Sequence, residues 1–132
     1  MFCYPLPPLE TDIPYWVSEA SFYQHFDQQD FTCRDILDVV DAYLDDWFDF
    51  DAAGNRQFMI PPVSVKNGVS QFISGRHRTA VLLKFMQRIP ICFDSRFLAE
   101  SDKKWVDSVA AKKIDVSKLI ELPDLPIRKV LP

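Results

Sequence analysis

Two arginines and a histidine directly follow a glycine, at the point where an alternating segment gives way to an apolar one. The residues in question are Ser74, Gly75, Arg76, His77, Arg78 and Thr79. Arginine carries a planar, permanently charged guanidinium group that matches phosphate oxygens. Glycine lets the backbone turn sharply and lets a ligand approach it closely. These residue types in this order indicate a site for a phosphate group.

The elements that would position this site are a strand before the glycine and a helix after it. The strand is predicted over Val69–Ile73 and the helix over Arg76–Gln87. A helix start presents unpaired N–H groups and a partial positive charge, so anions bind there. The same partial charge opposes each arginine by about 0.3–1 kcal/mol, which favours an anion beside them. The alternative is a solvated helix start with incidental salt bridges to acidic residues.

This segment resembles the ParB/sulfiredoxin superfamily. There a strand ends in a Gly-x-x-Arg turn, and an Ala-rich helix and an Ile-Pro-Val type strand follow, as Ile89-Pro90-Ile91 does here. The resemblance covers about Tyr15 to Phe93. It implies a small mixed-sheet α/β (α+β) domain with helices packed on the sheet. It also implies nucleotide-phosphate contact at Gly75, Arg76, His77 and Arg78.

Two departures limit what the resemblance implies. Sulfiredoxins carry their catalytic cysteine at the position that Arg76 holds here, so sulfiredoxin chemistry is not expected. Chromosome-partitioning ParB proteins have glutamate at this position and a helix-turn-helix module behind the domain. Only about forty residues follow Phe93 in this chain. Recognition of a DNA site in the ParB manner is therefore not expected either.

The ligand that the resemblance implies is ATP or CTP, with Mg²⁺ as the usual companion of a triphosphate. Ser74 to Thr79 would hold it. Plasmid-borne members of the superfamily imply nucleotide hydrolysis or nuclease activity, in plasmid or phage DNA maintenance or in control of DNA transfer. Two residues are candidates for catalysis: His77, which also fits a packing role, and Glu19, a carboxylate just after the first predicted strand. No metal site formed by the protein itself is predicted.

Composition bounds the class of protein. A chain of 132 residues that is 48% hydrophobic predicts one domain with a substantial core. No apolar run approaches the ~18–20 residues that span a membrane, and the start lacks the features of a signal peptide. The cysteines, Cys3, Cys33 and Cys92, form no even framework, which favours a reducing compartment and a cytoplasmic location.

Charge is distributed unevenly along the chain. One basic and twelve acidic residues precede Arg56, whereas fourteen Lys or Arg and seven Asp or Glu follow from that position onward. An acidic helix over Asp35–Asp51 suggests an alternative function, that of a non-catalytic inhibitor that blocks a basic protein partner. A third option is DNA binding through the lysine-rich segment Lys103–Lys118.

The periodicity predicts the order of elements and three parts of the chain. The parts are a Pro-rich arm (1–14), a core (15–93) and a helical extension of the same domain (94–132). The predicted elements are a short strand in Tyr15–Phe22, a helix over Cys33–Phe50, strands over Gln57–Lys66 and Val69–Ile73 joined at Asn67-Gly68, a strand over Ile89–Phe93 and a helix over Ser101–Lys113 capped by Ser101. Pro61-Pro62 marks the first hairpin strand as an edge or broken strand.

Overall fold

The computed structural model describes residues 1–31 and 41–130. Within them the chain forms a small α+β fold with mixed sheets, as the sequence predicts. The strands are β1 (Phe2–Leu6), β2 (Asp12–Ser18), β3 (Tyr43–Leu44), β4 (Phe48–Phe50), β5 (Arg56–Met59), β6 (Pro62–Lys66), β7 (Val69–Phe72), β8 (Arg88–Asp94), β9 (Ala110–Lys113), β10 (Ile120–Glu121) and β11 (Ile127–Arg128). The helices are α1 (Glu19–His25), α2 (Gln28–Phe31), α3 (Arg76–Leu83) and α4 (Glu100–Val109), with 3₁₀ turns at Asp45–Trp47 and Ser95–Phe97.

The larger sheet of the described residues has the strand order β7-β6-β8-β2-β9. β6 and β8 are parallel, and the other neighbours are antiparallel. The tight turn between β6 and β7 has positive φ at both Asn67 (55°) and Gly68 (71°), which confirms the predicted hairpin. The Pro61-Pro62 pair does break the predicted first strand, into β5 and β6. β6 lies inside the sheet and not at its edge.

A smaller sheet joins the beginning of the chain to its end, in the order β10-β1-β5-β4. The Pro-rich segment that the sequence predicts as an extended arm is β1 of this sheet, parallel to β5 and antiparallel to β10. Its last part, Asp12–Pro14, belongs to β2. The predicted extended conformation is found in these two strands, whereas residues 8–11 between them form a bend and a turn. β1 is paired on both sides.

An aromatic cluster packs the first two helices against the larger sheet. Phe22, Phe26 and Phe31 come from α1 and α2 and the link between them, and they meet Phe72 of β7 and Phe93 of β8. The ring centroids of contacting pairs lie 4.9–6.4 Å apart. Such pairs add about 0.5–1.5 kcal/mol each beyond the burial of their area. The cluster fixes α2 beside the end of β7.

The predicted helix Cys33–Phe50 is wrong over residues 41–50; residues 33–40 lie outside the described part. Here the chain forms β3, a 3₁₀ turn and β4. Tyr43 is fully buried, pairs with Ile127 and donates its hydroxyl to the Pro123 carbonyl at 2.6 Å. Phe48 pairs with Phe58 of β5. Pairing with distant strands overrides the local helical spacing of the apolar residues.

The helix predicted over Ser101–Lys113 is right in its first part and wrong at both ends. α4 begins after Ala99, which makes no side-chain cap, and ends at Val109. Residues 110–113 form β9 because they pair with β2, with Lys112 opposite Trp16.

Other boundaries also shift by a few residues. α3 ends at Leu83, before the predicted Gln87, whereas the strand predicted over Ile89–Phe93 is confirmed as β8. The predicted strand in Tyr15–Phe22 ends at Ser18, and α1 begins at the next residue.

Candidate functional site

The candidate site, here called the Gly75 turn (Ser74–Arg78), connects β7 to α3. Gly75 has φ of +89° and ψ of 18°, and its carbonyl accepts the Thr79 N–H at 3.0 Å. A Cβ atom at this position would lie 2.6 Å from the Pro61 Cβ and 2.8 Å from the Arg78 Nη2. No L-residue fits there without displacing its neighbours. The sequence predicts that glycine here admits a ligand; the space on its Cβ side is instead filled by Pro61 and Arg78.

The Arg76 guanidinium forms an ion pair with a carboxylate of the protein, that of Asp30. Its Nη2 is 2.7 Å from Asp30 Oδ1 and 3.0 Å from the Phe72 carbonyl, and its Nε donates to the Asp30 carbonyl at 2.9 Å. The other carboxylate oxygen of Asp30 accepts the Phe72 N–H at 2.7 Å. Arg76 and Asp30 therefore tie α2 to the end of β7. Of the two charges that the sequence offers to a phosphate, this one is already neutralised.

Arg78 is buried, with 8% of its surface exposed. Its Nη1 donates to the Met59 carbonyl at 2.5 Å, and its Nη2 lies 3.3 Å from the Ser74 hydroxyl. Burial lowers the pKa of this guanidinium, with Asp46 acting in the opposite direction through its charge. An arginine with a lowered pKa still stays protonated near neutral pH. Within the described residues no carboxylate forms an ion pair with it.

The remaining residues of the predicted site differ in their access to solvent. Ser74 is exposed, and His77 is half-buried in the first turn of α3. Thr79 is 1% exposed, and its hydroxyl has no hydrogen-bond partner in the described part of the chain. Thr79 of the predicted site therefore lies in the interior of the protein. Of the predicted site residues, Ser74 is thus the exposed one, and Gly75, Arg76 and His77 are partly exposed.

Glu19 does not lie at the Gly75 turn. It begins α1, and its N–H donates to the Gln87 carbonyl at 2.8 Å. Gln87 follows the carboxyl end of α3, whereas His77 lies at its amino end. The structure therefore places the two predicted catalytic residues at opposite ends of this helix. Asp30, which the sequence does not single out, is the carboxylate beside the turn.

Two aspartates of the acidic segment accept hydrogen bonds from backbone N–H groups that lie outside it. Asp45 accepts the Val130 N–H at 3.0 Å, and Asp51 accepts the N–H groups of Ala53 and Asn55 at 2.9 and 2.8 Å. Among the described residues, no group of three or more His, Cys, Asp or Glu is placed to hold a metal ion. The acidic helix expected over Asp35–Asp51 is thus absent from its described part, Asp41–Asp51.

The two described cysteines are packing residues. Cys3 and Cys92 are fully buried. Burial raises the pKa of the Cys3 thiol to about 11 and that of Cys92 further above its ordinary value. Thiols held protonated in this way are poor nucleophiles. Cys33 lies outside the described residues.

Comparison of the chain with protein-family models, curated proteins and solved structures gives no match. In the described part of the chain, the helices are all too short or too polar to cross a bilayer.

Proposed function

We propose that the Gly75 turn binds the phosphates of a nucleotide such as ATP or CTP. The observation that supports this most strongly is Arg78, a buried guanidinium that contacts only neutral groups among the described residues. Burying a charge without a counter-charge is costly, whether or not hydrogen bonds are made. The charge of Asp46 acts on Arg78 without forming an ion pair with it, and a phosphate oxygen reaching the guanidinium would supply that direct pair.

The surroundings of Arg78 suit an anion in two further ways. The amino end of α3 adds a partial positive charge at the same place. The exposed Ser74 hydroxyl lies beside the Arg78 Nη2, where it can accept from the guanidinium and donate its own proton to a phosphate oxygen. Arg76 has a different role in this proposal. It holds the turn against Asp30 and does not contact the ligand.

Mg²⁺ would accompany a bound triphosphate, held by the phosphates and water. In this proposal His77, in the first turn of α3, hydrogen-bonds a phosphate or a water molecule, and it is the candidate general acid or base for a hydrolytic step. Glu19 has no part in such a step. A nucleotide hydrolase or nuclease in plasmid or phage DNA maintenance or transfer control, acting in the cytoplasm, is the function we propose for this site.

Isothermal titration with Mg-ATP and with Mg-CTP tests the proposal. Arg78→Gln removes the buried charge, and Arg96→Gln is the matched control because Arg96 is exposed and pairs locally with Asp94. Loss of a charged hydrogen bond predicts affinity about 10- to 100-fold lower for Arg78→Gln, and within twofold of wild type for Arg96→Gln. Ser74→Ala, which removes a neutral hydrogen bond, is expected to cost about two- to tenfold.

Circular dichroism melting curves establish that each variant is folded before titration. If wild type binds neither nucleotide, the proposal is wrong. Equal losses in Arg78→Gln and Arg96→Gln would also contradict it, because a general charge effect would then explain the binding.

A further inference from the structure

A groove of about 560 Å³, here called the basic groove, lies on the part of the molecule where β9 and β10 approach β1 and β2. Four cationic side chains among the described residues line it: Arg88, Lys112, Lys113 and Lys118. All four are exposed. Its volume falls in the range of ordinary ligand sites, about 300–1,000 Å³. The concentration of positive charge stands out in a chain whose net charge is −4.

Strand register brings two of these cations, Arg88 and Lys112, together. Trp16 of β2 lies opposite Pro90 of β8 on one side and opposite Lys112 of β9 on the other. Arg88 is two residues before Pro90, so it projects from the same face as Trp16 and Lys112. The Arg88 guanidinium carbon lies 4.3 Å from the centre of a Trp16 ring. Residues 88 and 112 therefore face one groove although they are far apart in the chain.

These charges are not neutralised within the described part of the protein. None of the four forms an ion pair there. Two acidic side chains, Asp115 and Glu121, also line the groove. Asp115 Oδ1 accepts the N–H and the hydroxyl of Ser117 at 2.9 and 2.6 Å. The groove keeps a net positive charge, which an anionic ligand would compensate.

An exposed aromatic ring completes the groove. Phe2 of β1 lines it with 64% of its surface exposed, so its ring is accessible to a ligand in the groove. Bases of single-stranded nucleic acid stack on such rings, and a positively charged groove follows the phosphates beside them. An acidic peptide would match the charge but would bring no base to the ring.

We propose that the basic groove binds single-stranded nucleic acid, with phosphates on the four cations and a base on Phe2. This site is separate from the Gly75 turn and shares no residue with it. Neutralising four phosphates of a single strand predicts a slope of log affinity against log salt of about −2.8. Affinity should therefore fall about 50-fold between 50 and 200 mM salt.

Fluorescence anisotropy of a labelled twelve-nucleotide oligothymidylate tests this proposal. Lys112→Gln/Lys113→Gln removes two groove charges and should bring the slope to about −1.4. Lys103→Gln/Lys104→Gln is the matched control, because it makes the same change at exposed positions of α4 outside the groove. The control should keep the slope within about 0.7 of the wild-type value, the change expected from one phosphate contact. Phe2→Ala should weaken binding about fivefold or more without changing the slope.

Three results would each overturn the proposal. One is equal affinity of wild type and Lys112→Gln/Lys113→Gln. Another is a duplex of the same length binding as tightly as the single strand. The third is polyglutamate of matched charge competing as well as unlabelled oligothymidylate. Arg78→Gln should leave oligothymidylate binding within twofold of wild type, so the failure of either site can be recognised without reference to the other.

Discussion

At the Gly75 turn the arginines are held by the protein, whereas in the basic groove the cations are left to solvent. Arg76 lies on Asp30, and Arg78 is buried against the Met59 carbonyl. Lys112, Lys113 and their neighbours form no ion pair with described residues. The two regions carry the same kind of charge with different consequences. In the turn the charges hold the fold together, whereas in the groove the four cationic side chains are exposed and form no ion pair with described residues.

This comparison predicts that changes in the turn affect stability and changes in the groove affect binding. The largest effect is expected for Gly75→Ala. Its Cβ meets Pro61 at 2.6 Å in a left-handed conformation, so we expect a loss of about 2–4 kcal/mol in the free energy of unfolding, measured with urea. Gly54→Ala is the control, because Gly54 also has positive φ (82°) but nothing within 4 Å of its Cβ position. That variant should lose only about 1 kcal/mol. Equal losses of unfolding free energy in the two variants would show that the contact with Pro61 does not contribute to the effect of Gly75→Ala.

A smaller effect is expected from the Arg76–Asp30 pair. A double-mutant cycle of Asp30→Asn and Arg76→Gln should give a coupling energy of about 1–3 kcal/mol, because both side chains are largely buried and linked by charged hydrogen bonds. The exposed pair Lys84–Asp41, also at 2.7 Å, serves as the comparison. Its coupling should be about 0.5 kcal/mol or less. If the two coupling energies are equal, Arg76 does not anchor the turn.

The smallest effect concerns the ion pair of Asp94 with the exposed Arg96. Hydrogen bonds and charge from Arg96 lower the pKa of Asp94 from 3.8 to about 2. The folded protein therefore binds this proton less tightly than the unfolded chain, and its stability rises with pH between about 2 and 4. Below pH 2 this contribution is lost. Asp94→Asn should flatten the rise, as followed by urea unfolding at a series of pH values.

Asp12 provides the internal control for that pH dependence. Its pKa is raised, mainly because it is buried, so it makes stability fall as pH increases above 3.8. Asp12→Asn should therefore remove this fall in stability above pH 3.8, whereas Asp94→Asn flattens the rise below pH 4. The same direction of change in both variants would contradict this assignment of the two carboxyl groups.

Local signals in the sequence predict one part of the fold well. Asn67-Gly68 specifies its hairpin, Pro61-Pro62 breaks the strand before it, and the apolar run at Ile89–Phe93 is a strand. These features depend on neighbours in the chain. Tyr43 and Lys112 depend on partners far away in sequence, Ile127 and Trp16, so the periodicity around them predicts helix wrongly.

The candidate site also has features that depend on chain neighbours and features that depend on distant residues. Glycine, arginine and histidine at 75–78 can be located from the sequence because the turn is local. The contacts of each guanidinium cannot be predicted in this way, because the tertiary fold brings Asp30 to Arg76 and the Met59 carbonyl to Arg78. The sequence offers one indication that Asp30 lies near the turn. Aromatic residues flank it, and two of them, Phe26 and Phe31, pack against Phe72 of β7. A charged residue in the sequence predicts an exposed charge only under two conditions. No distant carboxylate may neutralise it, and no distant carbonyl may bind it in the interior.

A crystal structure of the protein with Mg-ATP or Mg-CTP is the most direct test of the central claim. Our account predicts density for a phosphate within hydrogen-bond distance of the Ser74 hydroxyl and the Arg78 Nη2, with the Arg76–Asp30 pair unchanged. Density for the nucleotide in the basic groove alone, or an Arg78 guanidinium that reaches no phosphate, would contradict it.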